Sequence, residues 1–314
     1  MISEADDAEV IYRTSINTKD FVVDETFHDN RFMYLVTSKK TREAAEVPAF
    51  PNPPRLFKPV ECYDDVDDKF VFFPQRPAEY GGDDKLDKEI FAFLDAWCDY
   101  PKSFKLLDVA FVKLTWVSDW LHTVPYRRAL GEYGTGKSRW AECILALSRY
   151  GFKQGATATV AGVYRKSDRY RGVQGFDEND YGGDAKISGT IQLVLNAGYK
   201  KSSGFVSRQV KSGLDFIDKS YNCFGPKVIA ARSTFSDLAT ESRCITHRSQ
   251  KSSRVPLDVT EEFYADAQEL RNKLFMWRIN HIGRIPSESM KFREVLSEAQ
   301  IEPRLIEVLS LIHI

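Results

Sequence analysis

Short β-type runs mark the first 80 residues: 21–23, 32–37 and 69–73 each combine β-branched or aromatic residues over strand length. A proline-rich stretch at Pro48, Pro51, Pro53 and Pro54 separates them and predicts a loop. These runs predict a small β-rich module over residues 1–82. After Gly81 and Gly82 the period changes. Leu86, Ile90, Phe93, Leu94 and Trp97 recur at helical spacing, and so do Phe104, Leu107, Phe111, Leu114, Val117 and Leu121, predicting two amphipathic helices that form a connector over residues 83–123. Trp97, Trp116 and Trp120 lie on those apolar faces, which places them in the core rather than as platforms for bases.

From Pro125 onward, strand-sized runs at 126–130, 173–176 and 227–231 alternate with helix-sized runs at 137–149 and 187–200. Such alternation predicts βαβ units on a largely parallel sheet, here a core over residues 124–258. Residues 259–280 then carry Phe263, Ala267, Leu270, Leu274 and Trp277 on one helical face, and 288–297 reads as another helix, giving a helical segment over 259–308.

With 314 residues the chain has the length of about two domains and can bury a core without staples. Lysine and arginine total 44 against 45 aspartate and glutamate, a net charge of -1, and 43% of residues are hydrophobic, which excludes a disordered chain or a basic coat protein. No apolar run approaches the roughly 18 residues of a membrane span, and the acidic start lacks the order of a signal peptide. The expectation is a soluble, cytoplasmic protein without a membrane partner. Its five cysteines are scattered without a CxxC spacing, so they read as reduced thiols rather than a disulfide framework or zinc knuckle. Asp64, Asp65, Asp67 and Asp68 lack the glycine and distal glutamate of a calcium loop and read as a solvated turn. His122, His247 and His281 share no ligand spacing and read as surface or capping residues.

One motif carries chemistry. GEYGTGKS over residues 131–138 fits G-x-x-x-x-G-K-[ST], the phosphate-binding loop between a strand and a helix. Gly131, Gly134 and Gly136 permit the tight backbone whose N–H groups, with that of Thr135, surround phosphate oxygens at a helix N-terminus. Lys137 would reach the β- and γ-phosphates, and Ser138 would ligate Mg²⁺. About 40 residues on, VQGFDE ends in Asp177 and Glu178. Asp177 would hold the Mg²⁺ shell, and Glu178 would polarise the attacking water. Gln174 and Gly175 depart from the unbroken apolar run of a buried strand. Residues 200–218 read as two short strands turning at Ser212 and Gly213, with Lys200, Lys201, Phe205, Arg208 and Lys211 supplying the cation-plus-aromatic mixture that binds single-stranded nucleic acid. A second acid-free stretch adds Arg248, Lys251 and Arg254.

The ordered set VPYRRALGEYGTGKSR (124–139), FDEND (176–180), LNAGY (195–199), FGPKVIAAR (224–232) and ESRCI (241–245) resembles the P-loop ATPases of phage, plasmid and integrated-element replication proteins, which stand beside primase modules and are related to AAA+ and superfamily 3 helicases. The resemblance covers residues 114–279 and leaves the N-terminal module outside. Asn179 stands where such proteins commonly carry alanine. The resemblance implies an α/β, AAA+-like P-loop NTPase core and a lid-like role for residues 259–308. It also implies Mg²⁺-dependent ATP hydrolysis by a homo-oligomeric ring, coupled to movement on single-stranded or forked DNA, with a primase as possible partner. Ser233 then takes the sensor position beside the γ-phosphate, Arg243 the arginine-finger position, and the 200–218 hairpin the channel lining. Two other classes use the same loop: a nucleotide-switched binding module with little turnover, and a small-molecule kinase, for which no set of acceptor residues is visible. The last six residues, 309–314, resemble the translation of a sequencing-library adapter, so the natural chain is expected to diverge after Val308.

Overall fold

The computed structural model describes residues 8–155, 159–177, 185–212, 215–252, 254 and 257–284. Seven short strands open the chain: β1 (Glu9–Tyr12), β2 (Ser15–Asn17), β3 (Phe21–His28), β4 (Arg31–Ser38), β5 (Ala44–Val47), β6 (Phe50–Asn52) and β7 (Arg55–Lys58). Asp29 and Asn30, at φ 51° and 57°, form the two-residue turn between β3 and β4. Asp and Asn tolerate this left-handed conformation, and positive φ at both turn residues matches the twist of a hairpin. The sheets β2-β3-β4-β5 and β1-β7-β6 close on Ile16, Val23, Tyr34 and Phe57. β6 lies inside the stretch expected as a proline loop. It pairs with β7 alone, and an edge strand tolerates the missing donor of Pro51.

Residues 69–73, expected as a strand, make only an isolated bridge, Val71 to Phe152. Lys69 at φ 58° breaks the extended run. Of the aspartate cluster, expected as a turn, Asp64, Asp65 and Asp67 lie in the short helix α1 (Tyr63–Asp67) and Asp68 in the turn after it, with Asp64 and Asp65 in the favourable first turn and the Tyr170 hydroxyl donating to Asp65. Among the described residues no group of three acidic, His or Cys side chains is placed to hold a metal.

Helices α2 (Asp83–Trp97) and α3 (Lys102–Val117) follow, then β8 (Tyr126–Leu130), α4 (Lys137–Leu147), β9 (Phe152–Lys153), α5 (Val160–Tyr170), β10 (Gln174–Asp177), α6 (Ala185–Gly198), β11 (Phe205–Ser212), β12 (Asp215–Asn222), β13 (Lys227–Ala231), α7 (Leu238–Glu241), β14 (Cys244–Arg248) and α8 (Glu261–Asn280). Five strands form an all-parallel sheet in the order β14-β8-β13-β10-β9, so β13 lies between the P-loop strand and the Asp177 strand. This is an α/β P-loop NTPase core.

β8 is buried at every position although it contains two arginines. Alternation sends them to opposite faces: Arg127 pairs with buried Asp108 at 2.6 Å, and Arg128 grips Glu241 through two guanidinium nitrogens. Each charge is thereby matched inside the protein. α8 packs on α2, α3 and α4, with Phe263, Ala267, Leu270, Leu274 and Trp277 buried. It therefore belongs to the helical layer of the core, and residues 285–308 of the lid-like segment, including the helix expected over 288–297, together with 309–314, lie outside the described residues. No described helix is long and apolar enough to cross a membrane.

A buried ion network joins the N-terminal module to the core. Asp24 of β3 pairs with Arg149 after α4 and with Arg278 of α8 at 3.0 Å, and Arg278 forks onto Asp119 at 2.8 and 2.9 Å. Burial pushes the Asp119 carboxyl up, but Arg149 and Arg278 outweigh it and hold the group well below the usual carboxylate range.

Candidate functional site

The P-loop strand and helix fall where their sequence placed them, at Tyr126–Leu130 and Lys137–Leu147. Gly134 and Gly136 have φ of 74° and 79°, the left-handed region a side chain would strain. Gly131 is required by close approach: a methyl there would lie 2.7 Å from the Ser249 carbonyl and 2.8 Å from Thr135 Oγ1. Gly131 N–H donates to Ala231 O, and Thr135 Oγ1 to Glu132 O at 2.9 Å. Lys137 is buried, and its ammonium donates to Glu132 O at 2.7 Å, so its charge is folded back into the loop.

Ser138 Oγ donates to Asp177 Oδ2. Two hard oxygen donors, one from the P-loop helix and one from the end of β10, are thus in direct contact. Register places the end of β13 between them, with Ala231 opposite Leu130 and Ala230 opposite Asp177. Glu178 and Asn179 lie outside the described residues.

The two departures in β10 have packing reasons. Gln174 is fully buried and donates to Gln154 Oε1 at 3.0 Å and Val163 O at 2.9 Å, tying β10 to the end of β9 and to α5. Gly175 lies directly under α4, where a Cβ would stand 2.3 Å from Leu145 Cδ1.

Ser233 is exposed just past β13 and lines an apolar cavity of about 280 Å³ with Phe176, Ile191 and Phe235. Arg243 is engaged within its own chain: it donates to Leu195 O, Asn196 O and Asn196 Oδ1 at 3.1 to 3.2 Å and lies over the Tyr199 ring. It closes the C-terminal end of α6, where a cation suits the carbonyls.

The hairpin is real, but its five candidate residues do not share a surface. Lys200 and Lys201 stand before β11; Lys200 bridges to Thr123, and Lys201 donates to Asp119 O at 2.8 Å. Strand alternation puts Phe205 and Lys211 on one face and Arg208 on the other, over the Tyr164 ring of α5. Cross-strand register pairs Lys211 with exposed Phe216, and Arg208 with Lys219. Gly213, expected in the turn, lies outside the described residues.

A cavity of about 170 Å³ flanks the P-loop, walled by Trp97, Tyr100, Thr135, His247 and Leu257. Arg254 donates to Asp95 O and Ala96 O at 2.6 Å, Ser252 to Asp99, and Arg139 to Leu257 O, so Ser252, Arg254 and Leu257 are fastened across its rim. His247 is buried among Tyr100, Phe104 and Trp140. Burial, and then Arg127, pushes its pKa down to about 3, leaving a neutral ring.

Three solved structures align with this chain at low identity. The chain is similar to an active helicase, Cch of SCCmec type IV, at 11% identity and TM-score 0.49, covering 97% of this chain and 54% of that one. It is also similar to the C-terminal region of NrS-1 at 9% identity and TM-score 0.39, covering 82% and 66%. A full-length MCM homolog from Methanopyrus kandleri aligns at 10% identity and TM-score 0.35, covering 94% and 68%. The chain spans about half the length of the first of these and about two thirds of the second. No family model and no curated protein matches the sequence.

Several residues of the site escaped sequence reasoning. His247 was expected at the surface, and its burial follows from its place at the inward-facing position of β14, the only fully buried residue of that strand. Phe216 and Lys219 follow the first acid of the hairpin, yet pairing returns them beside Lys211 and Arg208. His281, in contrast, caps α8 as expected, its Nδ1 lying 2.8 Å from Trp277 O.

Proposed function

We propose that this chain is a Mg²⁺-dependent ATPase that acts as a helicase- or translocase-like motor on DNA. The contact between Ser138 Oγ and Asp177 Oδ2, beside the buried Lys137, carries the reading. A hydroxyl and a carboxylate are the oxygen donors Mg²⁺ prefers, so these residues fit the ion and would hold it. When bound, the ion neutralises charge on the phosphate oxygens. Lys137 exchanges the Glu132 carbonyl for the β- and γ-phosphates, and the N–H groups of the loop and of α4 receive the remaining oxygens. The nucleoside occupies the adjoining cavity between Trp97, Tyr100 and Leu257. Glu178 orients the attacking water, and Ser233 completes the γ-phosphate shell from β13. Arg243 acts across a homo-oligomeric ring only by releasing the α6 carbonyls it now caps. Lys211 and Phe216, with Phe205 on the same face of the hairpin, meet the DNA strand, in a role within mobile-element or phage replication beside a primase.

Steady-state ATP turnover measured with and without single-stranded DNA tests this. Stimulation by DNA, lost in Lys137→Ala and in Glu178→Gln while the latter still binds ATP, is the expected result. Tight ATP binding without turnover would identify a nucleotide-switched module instead, and phosphate transfer to a small acceptor would identify a kinase.

A further inference from the structure

Four of the five cysteines are buried, and two of them meet. Cys98 Sγ lies 3.3 Å from Cys143 Sγ, although 45 positions separate them. Cys223 and Cys244 instead donate to the carbonyls of Tyr221 and Thr240. We infer that Cys98 and Cys143 form an oxidation site, a dithiol that a small peroxide converts to a disulfide fastening the end of α2 to the P-loop helix α4.

Three observations support this. Access comes first: Cys98 lines the cavity beside the P-loop, whereas Cys143 lies fully buried behind it. Freedom to move comes second. Cys98 sits just past the last turn of α2 with extended backbone, φ -136° and ψ 134°, so its side chain can advance without unwinding a helix. The sulfurs must close by about 1.3 Å to reach bonding distance. Third, among the described residues no third ligand makes the pair a metal site. A disulfide of this kind in a reducing compartment is transient and redox-sensing.

The chemistry balances with hydrogen peroxide as the named oxidant. Cys98 sulfur, losing its proton, attacks a peroxide oxygen; the O–O bond breaks, one hydroxide leaves as water, and a sulfenic acid remains. Cys143 sulfur then attacks Cys98 sulfur as its own proton departs. The S–S bond forms, the S–O bond breaks and a second water leaves. Two thiols are oxidised by one electron each, and one peroxide is reduced by two. Burial raises the Cys143 thiol well above its ordinary value, which keeps it from being the first sulfur to attack the peroxide.

The test treats the reduced, folded full chain with hydrogen peroxide, counts free thiols and maps peptides without reduction. The expected result is a fall from five thiols to three, a single Cys98–Cys143 linked peptide, and recovery with dithiothreitol. Cys143→Ala should halt at a Cys98 sulfenic acid that dimedone traps, and Cys98→Ala should leave Cys143 unmodified. Five thiols after treatment, a linkage through Cys62, Cys223 or Cys244, or accumulation of Cys98 sulfenic acid in the wild-type chain would overturn the inference. Should either variant fail to fold, the wild-type peptide map alone decides.

Discussion

Gly175→Ala isolates the contact between the Asp177 strand and the P-loop helix. The added methyl would stand 2.3 Å from Leu145 Cδ1, where carbon atoms pack at about 3.5–4.0 Å. Leu145 is buried, so either its side chain leaves its rotamer or α4 lifts from β10 by more than about 1 Å. Overpacking of this kind costs about 1–3 kcal/mol. Leu145→Ala alone should cost about 2–5 kcal/mol by leaving a cavity. In that background the Gly175 methyl enters vacated space, so its cost should fall to about zero, a coupling of about 1–3 kcal/mol between the two sites. Urea unfolding of the four proteins gives the stabilities. Because α4 carries Ser138 and β10 carries Asp177, Gly175→Ala should also weaken Mg²⁺-dependent binding of a non-hydrolysable ATP analogue, with recovery in the double variant. An equal cost of Gly175→Ala in both backgrounds would refute the packing argument.

Three further outcomes are expected. Lys211→Ala should lower the slope of log affinity for single-stranded DNA against log salt by about 0.7, since one phosphate contact is lost, and an unchanged slope would remove this face of the hairpin from the interface. Arg278→Met leaves the two carboxylates of Asp24 and Asp119 with Arg149 as their one shared cation, an uncompensated interior charge that should cost about 3–5 kcal/mol by chemical unfolding; Arg278→Lys should not restore it, because the fork onto Asp119 needs two nitrogens. Burial pushes Glu25 up to about 8. A carboxyl raised in the fold binds more protons there than in the unfolded chain. Its contribution is therefore complete below its ordinary range near 4.5 and is lost as pH rises toward about 8. Glu25→Gln should flatten stability across that window, and an unchanged pH profile would contradict the assignment.

The sequence resolved the elements whose constraint is local. The P-loop glycines, the lysine and the serine demand one backbone, and Tyr126–Leu130 and Lys227–Ala231 are strands at their expected limits. Residues 69–73 carry strand-type side chains but meet β9 through a single bridge, because the extent of pairing is a tertiary property that propensity does not encode. Gln174 and Gly175 looked like defects in a buried strand; their reasons, the Gln154 and Val163 oxygens and the Leu145 side chain, lie 20, 11 and 30 positions away. His247 shows the same limit, since nothing near it in sequence announces Tyr100, Phe104 and Trp140. Charge clustering located the hairpin but not its faces, which follow from the register of Lys211 on Phe216.

The carboxylate of Asp24 changes how this protein can be divided. Composition marks a border near residue 82, and a fragment beginning there would contain the whole parallel sheet and the phosphate-binding loop. It would also contain Arg149 and Arg278 without the aspartate that sits between them in the intact chain. Asp119 alone cannot neutralise two interior guanidinium groups, so the excised fragment would carry an excess buried cation at the joint of α4 and α8. Seen this way, the first sheet supplies a counter-charge to the half that carries the parallel sheet, and a border visible in composition is not a border in free energy.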